Sequence, residues 1–166
     1  AQMMIDRFEV EAIINTGIAG AVHPDLKVLD VVVSRELCYH DYDASFLQDY
    51  PPYIDGIYAS ESLTEAAVEA FHGSSCCFAG KIASGDQFIE SSEVKKRIVE
   101  SFHPMCVEME GAAIGHTCTV NEIPFVIIRT MSDNADEEAA DSATNFEEVT
   151  ARHSASIVIQ MLAQTK

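Results

Sequence analysis

The sequence of 166 residues contains few basic side chains: 10 lysines and arginines stand against 27 aspartates and glutamates, and the formal net charge is −17. Because a phosphate backbone is bound mainly by lysine and arginine, this deficit argues against DNA or RNA as a partner. It is compatible with a small neutral or zwitterionic ligand and does not select one. No apolar run approaches the roughly 20 residues of a membrane span, so we expect no membrane partner.

Signals for metal binding and for export are also missing. The five cysteines show no CxxC spacing, and the His-Asp-Tyr-Asp cluster at 40–43 has no second cluster with ligand spacing, so we expect neither a metal nor a cofactor. The cysteines lie mostly in apolar segments, which predicts buried, reduced thiols. The first residues lack the basic start and apolar centre of a signal peptide. These features together predict a cytoplasmic protein.

Alternating strand and helix patterns predict an α/β protein. Strands are predicted at residues 12–16, 28–37, 75–82, 106–109 and 124–131, and helices at 60–72, 92–102, 111–120 and 145–164. We expect a three-layer sandwich, in which helices cover both sides of a mostly parallel mixed central sheet. Residues 17–20 are predicted to form a glycine turn, and residues 38–58 a long functional loop.

Residues 1–166 are predicted to form one domain. Residues 1–8 resemble the end of a helix that has neither an N-cap nor a preceding strand. We therefore expect the domain to lack its N-terminal part.

Acidic residues stand at two predicted strand ends. Asp133 follows the apolar run 124–131, and Glu108 and Glu110 lie at the junction between a strand and a helix. Open α/β sheets bind ligands at the carboxyl ends of their strands, so these acids are expected to form two halves of one site. A buried carboxylic acid at this point can act as a general acid. The alternative for Asp133 is a turn or capping carboxylate, because Ser-Asp-Asn favours turns.

The other charged candidates also have two interpretations. Glu108 and Glu110 share one face if they lie in a strand, but Glu110 can instead belong to the first helical turn, where the helix dipole favours an acid. Arg129 interrupts the apolar run, and a charge inside a central strand is seldom free. It either pairs structurally with a neighbouring acid or orients an acid or a water molecule.

Two glycine-containing segments are candidates for contacts with a planar ligand. The predicted turn at 17–20 would let backbone N–H groups approach an oxyanion or a ribose, or it is a plain tight turn. In segment 84–89, Phe88 can stack on a base while the backbone of Ile89 binds the edge of that base. Packing in the core is the alternative for both side chains.

Taken together, five segments resemble the nucleoside phosphorylase and nucleosidase superfamily. They are residues 13–20 (IINTGIAG), 39–41 (YHD), 84–89 (SGDQFI), 107–113 (VEMEGAA) and 129–136 (RTMSDNAD). They follow the order of the family and extend over nearly the whole chain. The fourth segment is shared with the wider superfamily, and its combination with the third and fifth segments resembles the 5′-methylthioadenosine/S-adenosylhomocysteine nucleosidase branch.

The resemblance implies a nucleoside phosphorylase-like fold and hydrolysis of the N-glycosidic bond of 5′-methylthioadenosine and S-adenosylhomocysteine, which releases adenine in methionine salvage. It implies that Asp133 protonates N7 of adenine and that Ser132 helps to hold this acid. Phe88 would stack on adenine, the backbone of Ile89 would bind its edge, and Gly20 would contact the substrate.

At the sugar, the resemblance implies that Glu110 binds the ribose 2′-hydroxyl, that Met109 lines the sugar, and that Arg129 arranges the ribose end and the water. This set of contacts suits an oxocarbenium-like transition state. The resemblance also implies a homodimer whose ligand is a small adenine nucleoside.

The chain departs from the family pattern in three places. The family carries an N-terminal strand with a glutamate that handles the attacking water, and no segment of this chain matches it. Ile18 stands where many relatives have a serine, and the loop from residue 43 to 58 looks shorter than usual, which leaves the 5′ preference open. A purine nucleoside phosphorylase that uses phosphate, and a non-catalytic adenine-nucleoside binding module, remain alternatives.

Overall fold

The structure is a computed structural model and describes residues 1–71 and 75–164. Within these residues the helices are α1 Gln2–Phe8, α2 Ser45–Asp49, α3 Glu61–Glu69, α4 Ser92–Phe102, α5 Gly111–Val120 and α6 Ala139–Gln164. The strands are β1 Ile13–Ala21, β2 Val31–Tyr39, β3 Ile57–Tyr58, β4 Cys77–Ser84, β5 Cys106–Glu108 and β6 Phe125–Asp133. None of the helices in these two ranges is long and apolar enough to cross a membrane.

The strands form one sheet in the order β3-β2-β4-β5-β1-β6, and β6 pairs again with β2. The long ladders β1–β6 and β2–β4 are parallel, whereas the β2–β6 and β1–β5 ladders are antiparallel. The predicted α/β class with a mixed sheet is therefore confirmed. The predicted three-layer sandwich is not confirmed, because the β2–β6 ladder closes the twisted sheet on itself into a barrel.

Both faces of the central strands are buried. On β2, Val31 and Val33 pack towards α3 and α6, where they meet Ile157, whereas Val32 belongs to the cluster on the other face, which contains Ala112 of α5. Strands covered on both faces carry continuous apolar runs rather than alternating ones. This is why the Val-rich centre of β2 and the first half of β6, residues 125–128, are continuous apolar runs.

The prediction of a glycine turn at residues 17–20 is wrong. These residues lie inside β1, which runs parallel to β6 with Gly17 opposite Arg129 and Gly20 opposite Asp133. The register shifts between Ala19 and Gly20. Glycines within a strand indicate either a bend or a close approach of another group, and here the close approach applies.

Other boundaries also differ from the predictions. The predicted loop 38–58 contains the end of β2, helix α2 and strand β3, and helix α6 begins at Ala139 rather than near residue 145. Helix α3 ends at Glu69, before the predicted end at residue 72, and residues 72–73 themselves lie outside the described residues. All the cysteines are free, and Cys76 is exposed, against the prediction of buried thiols. Burial raises the pKa of the Cys38 and Cys77 thiols to about 11.

Candidate functional site

The ends of three strands meet at Gly20. This residue lies opposite Asp133 on β6 and opposite Val107 on β5. Glu108 follows Val107 and pairs with Ser84 at the end of β4. The two acidic strand ends that the sequence predicted to form one site are therefore neighbours.

Asp133 is the last residue of β6 and is only 2% exposed. Its Oδ2 accepts a hydrogen bond from Ser132 Oγ at 2.7 Å, and its Oδ1 accepts one from the backbone N–H of Ala135 at 2.8 Å. Ala135 adopts a left-handed conformation with φ 50°, which turns the chain back towards the carboxylate. Asp133 thus makes the contact of a turn carboxylate. It also has the buried, fixed position that a general acid requires.

Gly20 leaves room for this carboxylate. A Cβ at position 20 would lie 2.7 Å from Asp133 Oδ1 and 3.0 Å from the Cβ of Ala135. Only a residue without a side chain lets β1 pass so close to Asp133. Gly17 has the same relation to Arg129, because a Cβ there would lie 3.2 Å from the guanidinium Nη1.

A small cavity of about 30 Å³ lies in front of Asp133 and brings together most of the predicted substrate-binding residues. It is lined by Gly20, Gln87, Phe88, Ile89, Val107, Glu108, Met109 and Asp133. Ile89 is buried, whereas Phe88 is 48% exposed and Met109 is 42% exposed. The exposed side chains of Phe88, Met109 and Gln87 therefore lie at the solvent side of a cavity whose inner wall includes the buried Ile89 and Asp133.

Glu108, which lines this cavity, forms a buried ion pair with Arg129. The Arg129 Nη2 donates to Glu108 Oε2 at 2.5 Å and the Arg129 Nε donates to the same oxygen at 3.1 Å. Glu108 also accepts hydrogen bonds from the Ser84 hydroxyl and from the backbone N–H groups of Glu110 and Gly111. Its carboxylate thus satisfies Arg129 and the free N–H groups at the start of α5 together.

Glu110 has a different environment from Glu108. It is the N-cap residue of α5, its side chain is 65% exposed, and its Oε2 lies 3.7 Å from Nη2 of the buried Arg129. The interpretation in which both acids share a strand face is wrong, because β5 ends at Glu108. Arg129 therefore connects one buried acid with one that is free to contact a ligand.

A second cavity of about 420 Å³ adjoins the first, since Met109 lines both. Its wall includes Tyr39 and His116, whose Oη and Nδ1 atoms are 3.4 Å apart. Burial lowers the pKa of His116 below its ordinary value, so the imidazole is mainly neutral at pH 7. Within residues 1–71 and 75–164, no group of three or more His, Cys, Asp or Glu side chains could hold a metal ion.

The sequence reasoning missed the central position of Glu108 and the contribution of Ser84. Ser84 donates to Glu108 and accepts the backbone N–H of Ala112 at 2.7 Å, so it connects the end of β4 to the start of α5. The sequence contains an indication of both roles, because Glu108 and Ser84 each lie at the end of a short apolar segment. No pattern pointed to His116, which enters the site only through the packing of α5 against the end of β2.

Comparison with known proteins identifies the family. Residues 1–163 match the model of the phosphorylase superfamily, and the chain belongs to this family. It is 37% identical to a 5′-methylthioadenosine/S-adenosylhomocysteine nucleosidase of Geobacillus kaustophilus, over 99% of this chain and 73% of the relative. It is also 37% identical to an aminodeoxyfutalosine nucleosidase of Helicobacter pylori, over 96% of this chain and 71% of the relative.

A solved structure agrees with these matches. The 5′-methylthioadenosine/S-adenosylhomocysteine nucleosidase of Neisseria meningitidis, in complex with methylthio-immucillin-A, superposes with a TM-score of 0.88 and 39% identity. The match covers 96% of this chain and 72% of that structure. The resemblance read from the five sequence segments is therefore confirmed, and with it the nucleoside phosphorylase-like fold.

Proposed function

We propose that this chain carries the hydrolysis of the N-glycosidic bond of 5′-methylthioadenosine and S-adenosylhomocysteine, with release of adenine. The observation that carries the proposal is the buried Asp133 carboxyl at the floor of a small cavity whose cover includes Phe88. The nucleosidase names of the relatives at 37% identity support the same reaction class.

The proposed chemistry begins at the base. Asp133 donates its proton to N7 of adenine while the bond between C1′ and N9 breaks and its electron pair moves onto the base. Protonation makes adenine a better leaving group, and a general acid of this kind contributes about 10²–10⁴-fold in rate. A water molecule then adds to C1′ and releases one proton to the solvent, which gives the free sugar. Asp133 takes up a proton from the solvent before the next turnover.

The base is proposed to enter between Phe88 and the floor formed by Gly20 and Asp133. The cavity of about 30 Å³ has room for about one water molecule, so a purine requires the cover to open. Phe88 and Met109 are both close to half exposed, and exposed side chains change rotamer on a picosecond to nanosecond timescale. We propose that Phe88 swings out and then stacks on the adenine ring.

At the sugar, we propose that Glu110 accepts a hydrogen bond from the ribose 2′-hydroxyl and that Met109 lines the ring. The Glu110 carboxylate is exposed and lies beside the fixed positive charge of Arg129, so it has a defined direction and a free oxygen. Its negative charge favours the cationic character that develops on the ribose.

The Glu110→Gln variant tests this role. We expect kcat to fall more than KM rises, because the amide keeps the hydrogen bond in the ground state and loses the charge that stabilises the transition state. Steady-state kinetics with methylthioadenosine measures both constants. An increase in KM at constant kcat would make Glu110 a simple binding residue.

Adenine release with and without phosphate tests the function itself. We expect release of adenine from methylthioadenosine or adenosylhomocysteine without phosphate. Chromatography of free adenine measures this release. Release that requires phosphate would identify a purine nucleoside phosphorylase. Tight nucleoside binding without turnover would identify a binding module. Aminodeoxyfutalosine belongs in the substrate panel, because one relative of equal identity is named for it.

We further propose that the protein acts as a homodimer in the cytoplasm. The segment after β2, which includes α2, carries a row of aromatic side chains in which Phe46 contacts both Tyr42 and Tyr50, and all three remain about half exposed. A second copy of the chain would bury this apolar surface. Sedimentation analysis tests the assembly, and a monomer at micromolar concentration would contradict it.

A further inference from the structure

The segment that carries Phe88 and Ile89 is held at both ends by carboxylates from other loops. At its start, the backbone N–H of Asp86 donates to Asp41 Oδ2 at 2.7 Å. At its end, the backbone N–H of Ser92 donates to Glu137 Oε1 at 3.0 Å, and Ser92 Oγ donates to Glu137 Oε2 at 2.6 Å.

We propose that Glu137 is a positioning residue that holds segment 86–92 against the loop following Asp133 and thereby sets the affinity for the adenine base. The inference rests on the proposed function, since it takes Phe88 and Ile89 as the residues that bind the base. Glu137 does not touch the reacting atoms, and it acts through the backbone that presents these two residues.

The Glu137 carboxylate contacts the N-terminus of helix α4, where backbone N–H groups have no partner within the helix. Ser92 is the first residue of α4, and the N-cap residue Ser91 makes no side-chain capping hydrogen bond. The Glu137 carboxylate takes over this capping role from a distant part of the chain, at the positive end of the helix dipole. Hydrogen bonds from Ser92 lower the pKa of Glu137, in keeping with an ionised acceptor.

A second link reinforces the connection between the two loops. Lys95, on the first turn of α4, donates from Nζ to the backbone carbonyl of Asn134 at 2.7 Å. Asn134 directly follows Asp133 in the sequence. The loop that follows Asp133 is thus joined through Glu137 and Lys95 to α4, which directly follows the segment that carries Phe88.

Loss of the Glu137 contact should weaken binding of the adenine base more than it changes the position of the Asp133 carboxyl. Asp133 is held within its own turn by Ser132 and Ala135, so its position does not depend on Glu137. Ile89 packs in an apolar cluster, but Phe88 is about half exposed. Without Glu137, the backbone around Phe88 gains freedom, and binding must then order it again at an entropic cost.

The test compares Glu137→Ala with Glu138→Ala. Glu138 is also exposed, and within residues 1–71 and 75–164 its carboxylate has no hydrogen bond or ion pair, which makes it a matched control. We expect Glu137→Ala to weaken adenine binding in calorimetry by about 5–10-fold, as the loss of a charge-assisted but exposed contact suggests. KM for methylthioadenosine should rise similarly, with kcat changed less than about threefold.

Two further measurements separate positioning of the base from general damage. Glu137→Gln should recover most of the adenine affinity, because the amide oxygen accepts the Ser92 N–H and the amide nitrogen donates to Ser92 Oγ. The affinity for methylthioribose, which has no base, should be the same in Glu137→Ala as in the unchanged protein. A purely structural role would lower both affinities together.

Unchanged adenine affinity in Glu137→Ala would overturn the inference, as would an equal loss in Glu138→Ala or a loss of kcat as large as the rise in KM. The failure of the proposed function is distinguishable from these outcomes. A protein that binds adenine but releases none from any nucleoside contradicts the reaction, and the comparison of adenine affinities between the variants still decides the role of Glu137.

Discussion

Replacement of Asp133 by asparagine is expected to lower turnover by about 10²–10⁴-fold, while nucleoside binding stays measurable. The amide cannot donate a carboxylic proton to N7, but it has nearly the shape of the acid. Its oxygen can still accept the N–H of Ala135, and its nitrogen can donate to Ser132 Oγ, so both contacts of the buried side chain survive. Single-turnover adenine release and equilibrium binding together measure the effect.

Glu138→Gln serves as the control for this variant. It makes the same change of acid to amide on the nearby loop, at an exposed side chain outside the cavity, and should leave turnover within about twofold. Adenine release by Asp133→Asn at the rate of the unchanged protein would remove Asp133 from the mechanism. The bonds to Ser132 and Ala135 would then describe a turn carboxylate and nothing more.

The Glu108→Ala variant is expected to have the largest effect on stability, with a loss of about 3–5 kcal/mol in the free energy of unfolding. Arg129 is only 2% exposed, and its nearest other acid is Glu110 at 3.7 Å. Removal of Glu108 leaves a buried charge with one distant, solvated partner. It also removes the acceptor for the N–H groups at the start of α5. For a chain of this size the melting temperature should fall by about 10 °C or more.

The control for Glu108 is the ion pair between Lys81 and Glu36. These atoms are also close, at 2.6 Å, but both side chains reach solvent, and an exposed pair contributes about 0–1 kcal/mol. The double variant Glu108→Gln/Arg129→Met should recover part of the stability that Glu108→Ala loses, because no unpaired charge remains buried. Thermal and urea denaturation measure all three. An equal loss in Glu36→Ala and Glu108→Ala would show that Arg129 does not depend on Glu108.

Patterns of neighbouring residues predicted the elements whose determinants are local. The helix at 111–120 was predicted with its observed bounds, and the apolar run 124–131 with its buried strand, because both patterns lie within one element. The position of Asp133 at the end of that strand followed from the run itself. Helix α6 begins at Ala139, earlier than predicted. The prediction missed its first turns because they carry no periodic pattern of large apolar residues.

The long-range pairings could not be predicted in this way. Residues 31–33 pair with residues 128–130 across most of the chain, and this ladder decides between a closed sheet and an open one. No local pattern encodes a partner so distant in sequence. The role of the glycines at 17 and 20 could not be predicted for the same reason. They give room to Arg129 and Asp133, which lie on the neighbouring strand.

By itself, the sequence determined the α/β class, the strand ends that carry acids and, through the order of its motifs, the family. Only the tertiary structure decided the separate environments of the two glutamates. Glu108 ends β5 and is buried against Arg129, whereas Glu110 is the N-cap residue that precedes α5 and faces solvent. Burial depends on which groups pack around a side chain, and for these two acids those groups come from β4, α5 and β6.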